Sequence, residues 1–256
     1  MQSPMNGLKL ALGEGRSQTG LWMALADPYA AELCAGSGFD WLAIDAEHAP
    51  NDLRSILATL QALAAYPVHP VVRLPHHSPA LIKQVLELGA RNLMLPMVES
   101  AEQARELVRA TRYPPEGIRG MGSALGRSSR WNRYSDYLQT ANGEVCLIVQ
   151  VESHQVLPHI DEIAAVEGVD CVFIGPADLA ASMGYRTEPD HPEVREAVAH
   201  AIATIARSGK APGVLCTDEP LAHQYLEGGA QLIAVGVDTG LLVQAADRLA
   251  GKFRGA

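Results

Sequence analysis

Trp41-Leu42-Ala43-Ile44-Asp45-Ala46-Glu47-His48 opens on four apolar residues and closes on three side chains that carry charge or protons. An apolar run this short, with no polar face alternating through it, reads as a strand buried on both sides. The ionisable groups gathered at its far end then mark the rim of a sheet. Seven more runs share this character, at residues 20–25, 70–74, 92–97, 146–152, 171–176, 212–216 and 232–238. The first-quoted run spans residues 41–47. Helical patterns alternate with the runs, at 28–35, 51–65, 79–88, 101–111, 157–166, 192–208, 219–227 and 239–252. Leu53, Ile56, Leu57 and Leu60 show the spacing of one helix face. Asp27 stands as an N-cap, and Gly89, Gly209 and Gly228 fall where helices end.

Eight strand–helix units in 256 residues predict one α/β domain over residues 1–256, a closed (β/α)8 TIM barrel. The rival is an open doubly wound sheet, which carries a glycine-rich nucleotide turn after its first strand. Here Ala26-Asp27-Pro28 follows the first run, and no such turn is present. One segment breaks the rhythm. Residues 112–145 hold Tyr113-Pro114-Pro115, a glycine-bearing stretch at 117–126 and a short helical pattern at 135–141. Its aromatics predict order, and its glycines predict close backbone approach to the site.

Composition narrows the function. The chain is 48% hydrophobic and 19% charged, which excludes a disordered chain. A formal net charge of -9 and the lack of a basic cluster argue against nucleic acid and anionic membranes as partners. Four scattered cysteines without CxxC spacing suit a reduced, cytoplasmic setting. No secretory leader pattern and no apolar run of membrane-spanning length occur.

A (β/α)8 barrel carries its site at the C-terminal strand ends. There the sequence places Asp45, Glu47 and His48, then Arg73, Gln150, Glu152, Ala177, Asp178 and Asp238. Glu152 and Asp178 are oxygen donors suited to a hard divalent ion; the alternative is that each caps a following helix. Gln150 shares a strand face with Glu152. Arg73 sits in an apolar strand, ready either to stabilise a developing oxyanion or to pair with Asp45 or Glu47. His48 is a candidate acid/base, or a surface histidine. His76 and His77 lie in the loop after the third run. The four lysines, Lys9, Lys83, Lys210 and Lys252, all avoid the strand ends. A Schiff-base mechanism needs a lysine inside the barrel or at its mouth, so carbonyl chemistry here would call for a metal. No GxSxG elbow and no GxxxxGK[ST] loop are present.

Several stretches together resemble the HpcH/HpaI family of class II pyruvate aldolases. They are Phe39-Asp40-Trp41-Leu42-Ala43-Ile44-Asp45-Ala46-Glu47-His48-Ala49-Pro50-Asn51-Asp52, Tyr113-Pro114-Pro115-Glu116-Gly117-Ile118-Arg119-Gly120, Gln150-Val151-Glu152 and Phe173-Ile174-Gly175-Pro176-Ala177-Asp178-Leu179. Ser129-Arg130-Trp131-Asn132-Arg133 and Asp136-Tyr137-Leu138-Gln139 resemble the branch acting on 4-hydroxy-2-oxo-heptane-1,7-dioate. The resemblance implies a barrel with a swapped C-terminal helix, assembled as a homohexamer, a trimer of dimers. It implies reversible cleavage of 4-hydroxy-2-oxo acids to pyruvate and an aldehyde (succinate semialdehyde for that branch), with oxaloacetate decarboxylation as a side activity. By motif, Glu152 and Asp178 would hold Mg2+, Mn2+ or Co2+. Gln150, the Ala177 backbone and Asp178 would hold pyruvate, and Arg73 would stabilise its enolate oxygen. His48 would act as acid/base, with Asp45 in support. Glu87, in Glu87-Leu88-Gly89-Ala90, stands where the family has the Asp that supports this histidine, and Ala46 replaces a usual Gly. The alternatives are a family aldolase for 2-keto-3-deoxy sugar acids, a citrate-lyase-β-like enzyme for CoA thioesters, or a barrel kept as a binding module.

Overall fold

In a computed structural model, which describes residues 1–254, eight parallel strands close a barrel in the order in which they occur along the chain. They are β1 (Gln18–Met23), β2 (Trp41–Asp45), β3 (His69–Arg73), β4 (Asn92–Leu95), β5 (Cys146–Val151), β6 (Cys171–Ile174), β7 (Ala211–Leu215) and β8 (Leu232–Val237). The helices are α1 (Gly7–Gly13), α2 (Pro28–Ala35), α3 (Leu53–Ala62), α4 (Pro79–Glu87), α5 (Ala101–Thr111), α6 (Tyr137–Thr140), α7 (Ile160–Ala164), α8 (Pro176–Ser182), α9 (Pro192–Arg207), α10 (Glu219–Glu227) and α11 (Asp238–Gly251). All eight predicted strands form. All eight end one or two residues before the predicted end, because the rim residues leave the ladder. β1 ends at Met23, since the next N–H groups, on Ala24 and Leu25, donate to the Asp238 carboxylate at 2.8 and 3.1 Å. Asp238 is therefore a buried staple between β8 and the loop after β1.

Two helices have no counterpart in the sequence reading. α1 carries Leu8 and Leu12 into the N-terminal end of the barrel, where they join the interior cluster. A seven-residue segment is too short for periodicity to separate from a loop. α8 follows β6 directly, with Pro176 in its first turn, and was hidden in the predicted strand end.

The apolar side chains form two main cores and a small third cluster in the 112–145 excursion. The outer one fills the space between strands and helices. The inner one lies inside the barrel and is built around Trp22, Trp41 and Phe173, whose ring centroids are 5.9 to 6.4 Å apart. Gly20 and Gly213 make room for these rings: a Cβ at Gly20 would overlap Trp41, and one at Gly213 would overlap Phe173. The interior parity decides the site. Trp41 and Ala43 face inward, so Asp45 does too; Val71 fixes Arg73, and Cys146 and Ile148 fix Gln150.

Residues 112–145 are ordered around Tyr113 and Tyr137, whose rings meet edge to face. The predicted close approach of backbone at the glycines occurs, but not at the barrel mouth. Gly117 lies against the carbonyls of Arg109 and Arg112 at the end of α5, and Gly126 lies against the Glu87 carboxylate. α5 and α4 run back down the barrel, so both contacts are at the end opposite the strand C-termini. In α11 only Asp238 is buried, and Leu241, Leu242, Val243 and Leu249 are exposed. Among the described residues, no helix is long and apolar enough to cross a membrane.

Candidate active site

β2 and β3 pair in a register that sets Asp45 beside Arg73. Arg73 donates from Nε to Asp45 Oδ1 at 2.9 Å and from Nη2 to Asp45 Oδ2 at 2.6 Å, a two-pronged pair closed to solvent. Asp45 accepts three more hydrogen bonds. Trp22 Nε1 donates to Oδ2 at 3.2 Å, and the backbone N–H groups of Glu47 and His48 donate to Oδ1 at 2.9 and 3.3 Å. Burial by itself would raise the Asp45 pKa. The hydrogen bonds and charge of Arg73, with the Glu47 N–H and Trp22, outweigh it and hold the carboxyl below its ordinary value. With its lone pairs occupied, Asp45 is a support and not a proton carrier.

Arg73 keeps capacity to spare. A guanidinium has five N–H donors, and Asp45 takes two. Nη1 lies 2.9 Å from Glu47 Oε2 without hydrogen-bond alignment, and that oxygen has no hydrogen-bond partner among the described residues. The sequence left Arg73 two roles, structural pair or oxyanion donor. The pairs with Asp45 and Glu47 both form, and the remaining N–H groups leave the second role open.

Glu152 follows β5 and is 4% exposed. Its Oε1 accepts from the Met97 N–H at 3.1 Å. Met97 reaches that position with a φ of 52°, in the left-handed region, where a non-glycine residue is strained. Oε2 lies against Gly175, where a Cβ would come within 2.7 Å. Burial, with Asp178 and Glu47 adding like charge, raises the Glu152 pKa to about 7 against the opposing Met97 N–H. Glu47 is raised too, first by burial, although Arg73 opposes. Crowded carboxylates with raised pKa values are a setting that a cation relieves. Among the described residues, no group of three or more His, Cys, Asp or Glu side chains is arranged for a metal. Glu152 and Asp178 are a two-ligand set, which leaves other positions to water and substrate. Gln150 is 2% exposed, and its Oε1 has no hydrogen-bond partner among the described residues. A buried amide oxygen left open beside the carboxylates fits a site that a ligand completes. α8 begins without a side-chain cap, so the N–H groups of Ala177 and Asp178 in its first turn have no side chain to meet them.

His48 is exposed at the rim, with Nε2 3.9 Å from Glu47 Oε2. Within this chain Glu87 stands away from His48. Glu87 ends α4, at the opposite end of the barrel. Its Oε1 accepts from Arg119 Nη2 at 2.8 Å and from the Tyr113 hydroxyl at 3.2 Å, and its Oε2 from the Ser128 hydroxyl at 3.1 Å. The carboxylate that stands by His48 is Glu47, two residues past Asp45 on the same strand parity. That parity was the signal for it. His77 is engaged by the Pro96 carbonyl. Met97, which ends the fourth apolar run, contributes its backbone N–H, and Trp22 belongs to the site without having been among the candidate residues.

The site therefore has the makings of a carbon–carbon lyase: a guanidinium with free donors, a carboxylate pair and an amide, on one barrel mouth. The HpcH/HpaI aldolase/citrate lyase family model matches residues 18–245. A hydroxypyruvate/pyruvate aldolase of Deinococcus radiodurans is 62% identical over 97% of this chain and 90% of that protein. A 4-hydroxy-2-oxo-heptane-1,7-dioate aldolase of Escherichia coli is 57% identical over 97% of this chain and 95% of that protein. The crystal structure of an HpcH/HpaI aldolase/citrate lyase family protein from Burkholderia cenocepacia superposes with a TM-score of 0.94 at 43% identity, covering 98% of this chain and all of that one. The chain belongs to the HpcH/HpaI aldolase family and is a carbon–carbon lyase acting on small molecules.

Proposed function

We propose that this enzyme is a divalent-metal-dependent aldolase that reversibly cleaves 4-hydroxy-2-oxo acids to pyruvate and an aldehyde. The observation that carries the reading is the buried Glu152, crowded by Asp178 at a mouth that also holds the spare N–H groups of Arg73. All-oxygen donors suit Mg2+, Mn2+ or Co2+ held by Glu152 and Asp178. When bound there, such an ion polarises the 2-oxo group and makes a carbanion at C3 accessible.

The side chains supply the rest. Arg73 N–H groups meet the oxyanion that develops at C2. Gln150 and the Ala177 and Asp178 N–H groups hold the substrate carboxylate end. Asp45 keeps Arg73 in place. His48 takes the C4 hydroxyl proton as the C3–C4 bond breaks and the aldehyde departs, and a proton delivered to C3 completes pyruvate. Oxaloacetate decarboxylation would use the same carbanion. The named relatives support two related donors, pyruvate and hydroxypyruvate, and one diacid substrate, 4-hydroxy-2-oxo-heptane-1,7-dioate, whose aldehyde is succinate semialdehyde. A CoA thioester is disfavoured, because Arg91, Arg127 and Arg130 line a 650 Å3 cavity at the opposite end of the barrel rather than its mouth. Assembly as a homohexamer with a swapped C-terminal helix is supported by the uncovered apolar face of α11. Four free cysteines suit a reducing cytoplasm.

The test is pyruvate release from a 4-hydroxy-2-oxo acid after EDTA treatment, then with Mg2+, Mn2+ or Co2+ restored. EDTA should abolish turnover and each ion should restore part of it. Full activity in EDTA would refute the metal. Arg73→Ala and Glu152→Ala should each lose turnover by a factor on the order of 100 or more; near-normal rates in either would remove that residue from its role.

A further inference from the structure

We infer that Trp22 is a positioning residue for the reaction, one that fixes the Arg73 guanidinium at the angle at which its spare N–H groups face the reacting oxygen. The inference rests on the aldolase reading of the barrel mouth. Trp22 is 5% exposed and grips the Arg73–Asp45 pair in two ways. Its Nε1 donates to Asp45 Oδ2 at 3.2 Å, the same oxygen that accepts from Arg73 Nη2. Its ring lies beneath the guanidinium, with Arg73 Cζ 4.7 Å from the ring centroid. A hydrogen bond to the acid and a π face to the base define both partners of one ion pair from a single rigid side chain.

The ring is itself immobilised. Phe173 and Trp41 back it at centroid distances of 5.9 and 6.4 Å, inside a barrel whose glycines make way for the three rings. Arg73 otherwise hangs on several rotatable bonds, and its aligned hydrogen bonds all go to one carboxylate. The indole closes the space below, into which the guanidinium would otherwise tilt. An arginine whose task is to meet an oxyanion loses rate steeply when its donors shift by an ångström.

The experiment follows exchange of the pyruvate methyl hydrogens in D2O by NMR with Mg2+-loaded enzyme, which reads carbanion formation without an aldehyde. Trp22→Phe keeps a ring and loses the N–H donor; Trp22→Leu loses both. The exchange rate constant should fall roughly tenfold for Trp22→Phe and roughly a hundredfold for Trp22→Leu, with KM for pyruvate within about threefold of wild type. In an Arg73→Lys background, Trp22→Phe should change the residual rate by less than about twofold, because the group it positions is gone. Leu12→Ala, in the same interior cluster but on α1 at the N-terminal end of the barrel, serves as the packing control and should keep the wild-type rate. Melting temperatures confirm that each variant is folded, and Trp22→Phe carries the test if Trp22→Leu is not. Three results would each overturn the inference: full exchange by Trp22→Phe, an equal multiplicative loss in the Arg73→Lys background, or a matching loss in Leu12→Ala. Absence of exchange by the wild type with Mg2+ would instead defeat the aldolase reading, and this inference with it.

Discussion

Asp45, Arg73 and Glu152 show how side chains of ordinary chemistry acquire unequal properties from their neighbours. Asp45 is held below the usual carboxylate range, so the stability it contributes is complete above the unfolded value of about 3.9 and is lost as pH falls through its lower folded value. Asp45→Asn should cost about 3 kcal/mol at neutral pH, since it leaves Arg73 buried without its partner. Urea melts from pH 7 downward should show the gap to wild type shrinking once the pH drops below about 4. A gap independent of pH would mean that the pair contributes through packing alone. Glu152 depends on a different neighbour. Gly175 keeps ordinary strand-like angles, so its lack of a Cβ matters for space and not for backbone freedom. Gly175→Ala would push against Glu152 Oε2. Calorimetric titration with Mn2+ should find affinity lowered roughly tenfold or more, with the melting temperature little changed. Unaltered affinity would argue against Glu152 as a ligand. The residue types at the rim were legible in the sequence. Glu47 beside His48 was signalled by parity; the place of Glu87 against Arg119, at the far end of the barrel, was not legible.

Helix α4 and the 112–145 excursion meet in a second cluster of buried charge. Arg119 is buried, stacks over Tyr113 at 4.2 Å and donates to both Glu87 and the Tyr137 hydroxyl. Burial alone would lower its pKa, yet Tyr137, Tyr113 and Glu87 raise it, so it stays charged. Glu87→Ala would strand that charge. The expected loss is about 3 kcal/mol, read as a fall in melting temperature of roughly 6–12 °C. A shift within about 2 °C would show that water reaches Arg119 and the pair contributes little. At this scale the sequence was informative where elements are long. α2, α5 and α10 have the predicted bounds, because caps and periodicity agree there. It was poor where they are brief. The predicted helix at 157–166 is a 3-10 turn leading into α7, and the pattern at 135–141 shrinks to the four residues of α6.

Across the whole barrel, lysine placement separates two mechanisms. Lys9 pairs with Asp170 at the N-terminal end of the barrel, Lys210 donates to the Val169 carbonyl there, Lys83 lies on α4 against Gly120, and Lys252 follows α11. None reaches the mouth. Borohydride added with pyruvate should therefore leave the protein mass unchanged and the activity intact. A mass increase matching reduced pyruvate would overturn the metal-based reading. The sequence by itself determined the barrel, the rim that carries the chemistry, and the absence of a lysine from it. Those follow from alternation and parity, which are properties of neighbouring residues in one chain. Only the tertiary structure decided which carboxylate meets which partner. Asp45 binds Arg73 because β2 and β3 pair in one register, Glu152 is crowded by Asp178 because β5 and β6 are adjacent, and Glu87 is taken by Arg119 because α4 runs away from the mouth. Distances between side chains dozens of residues apart are set by closure of the sheet, and no local pattern encodes them.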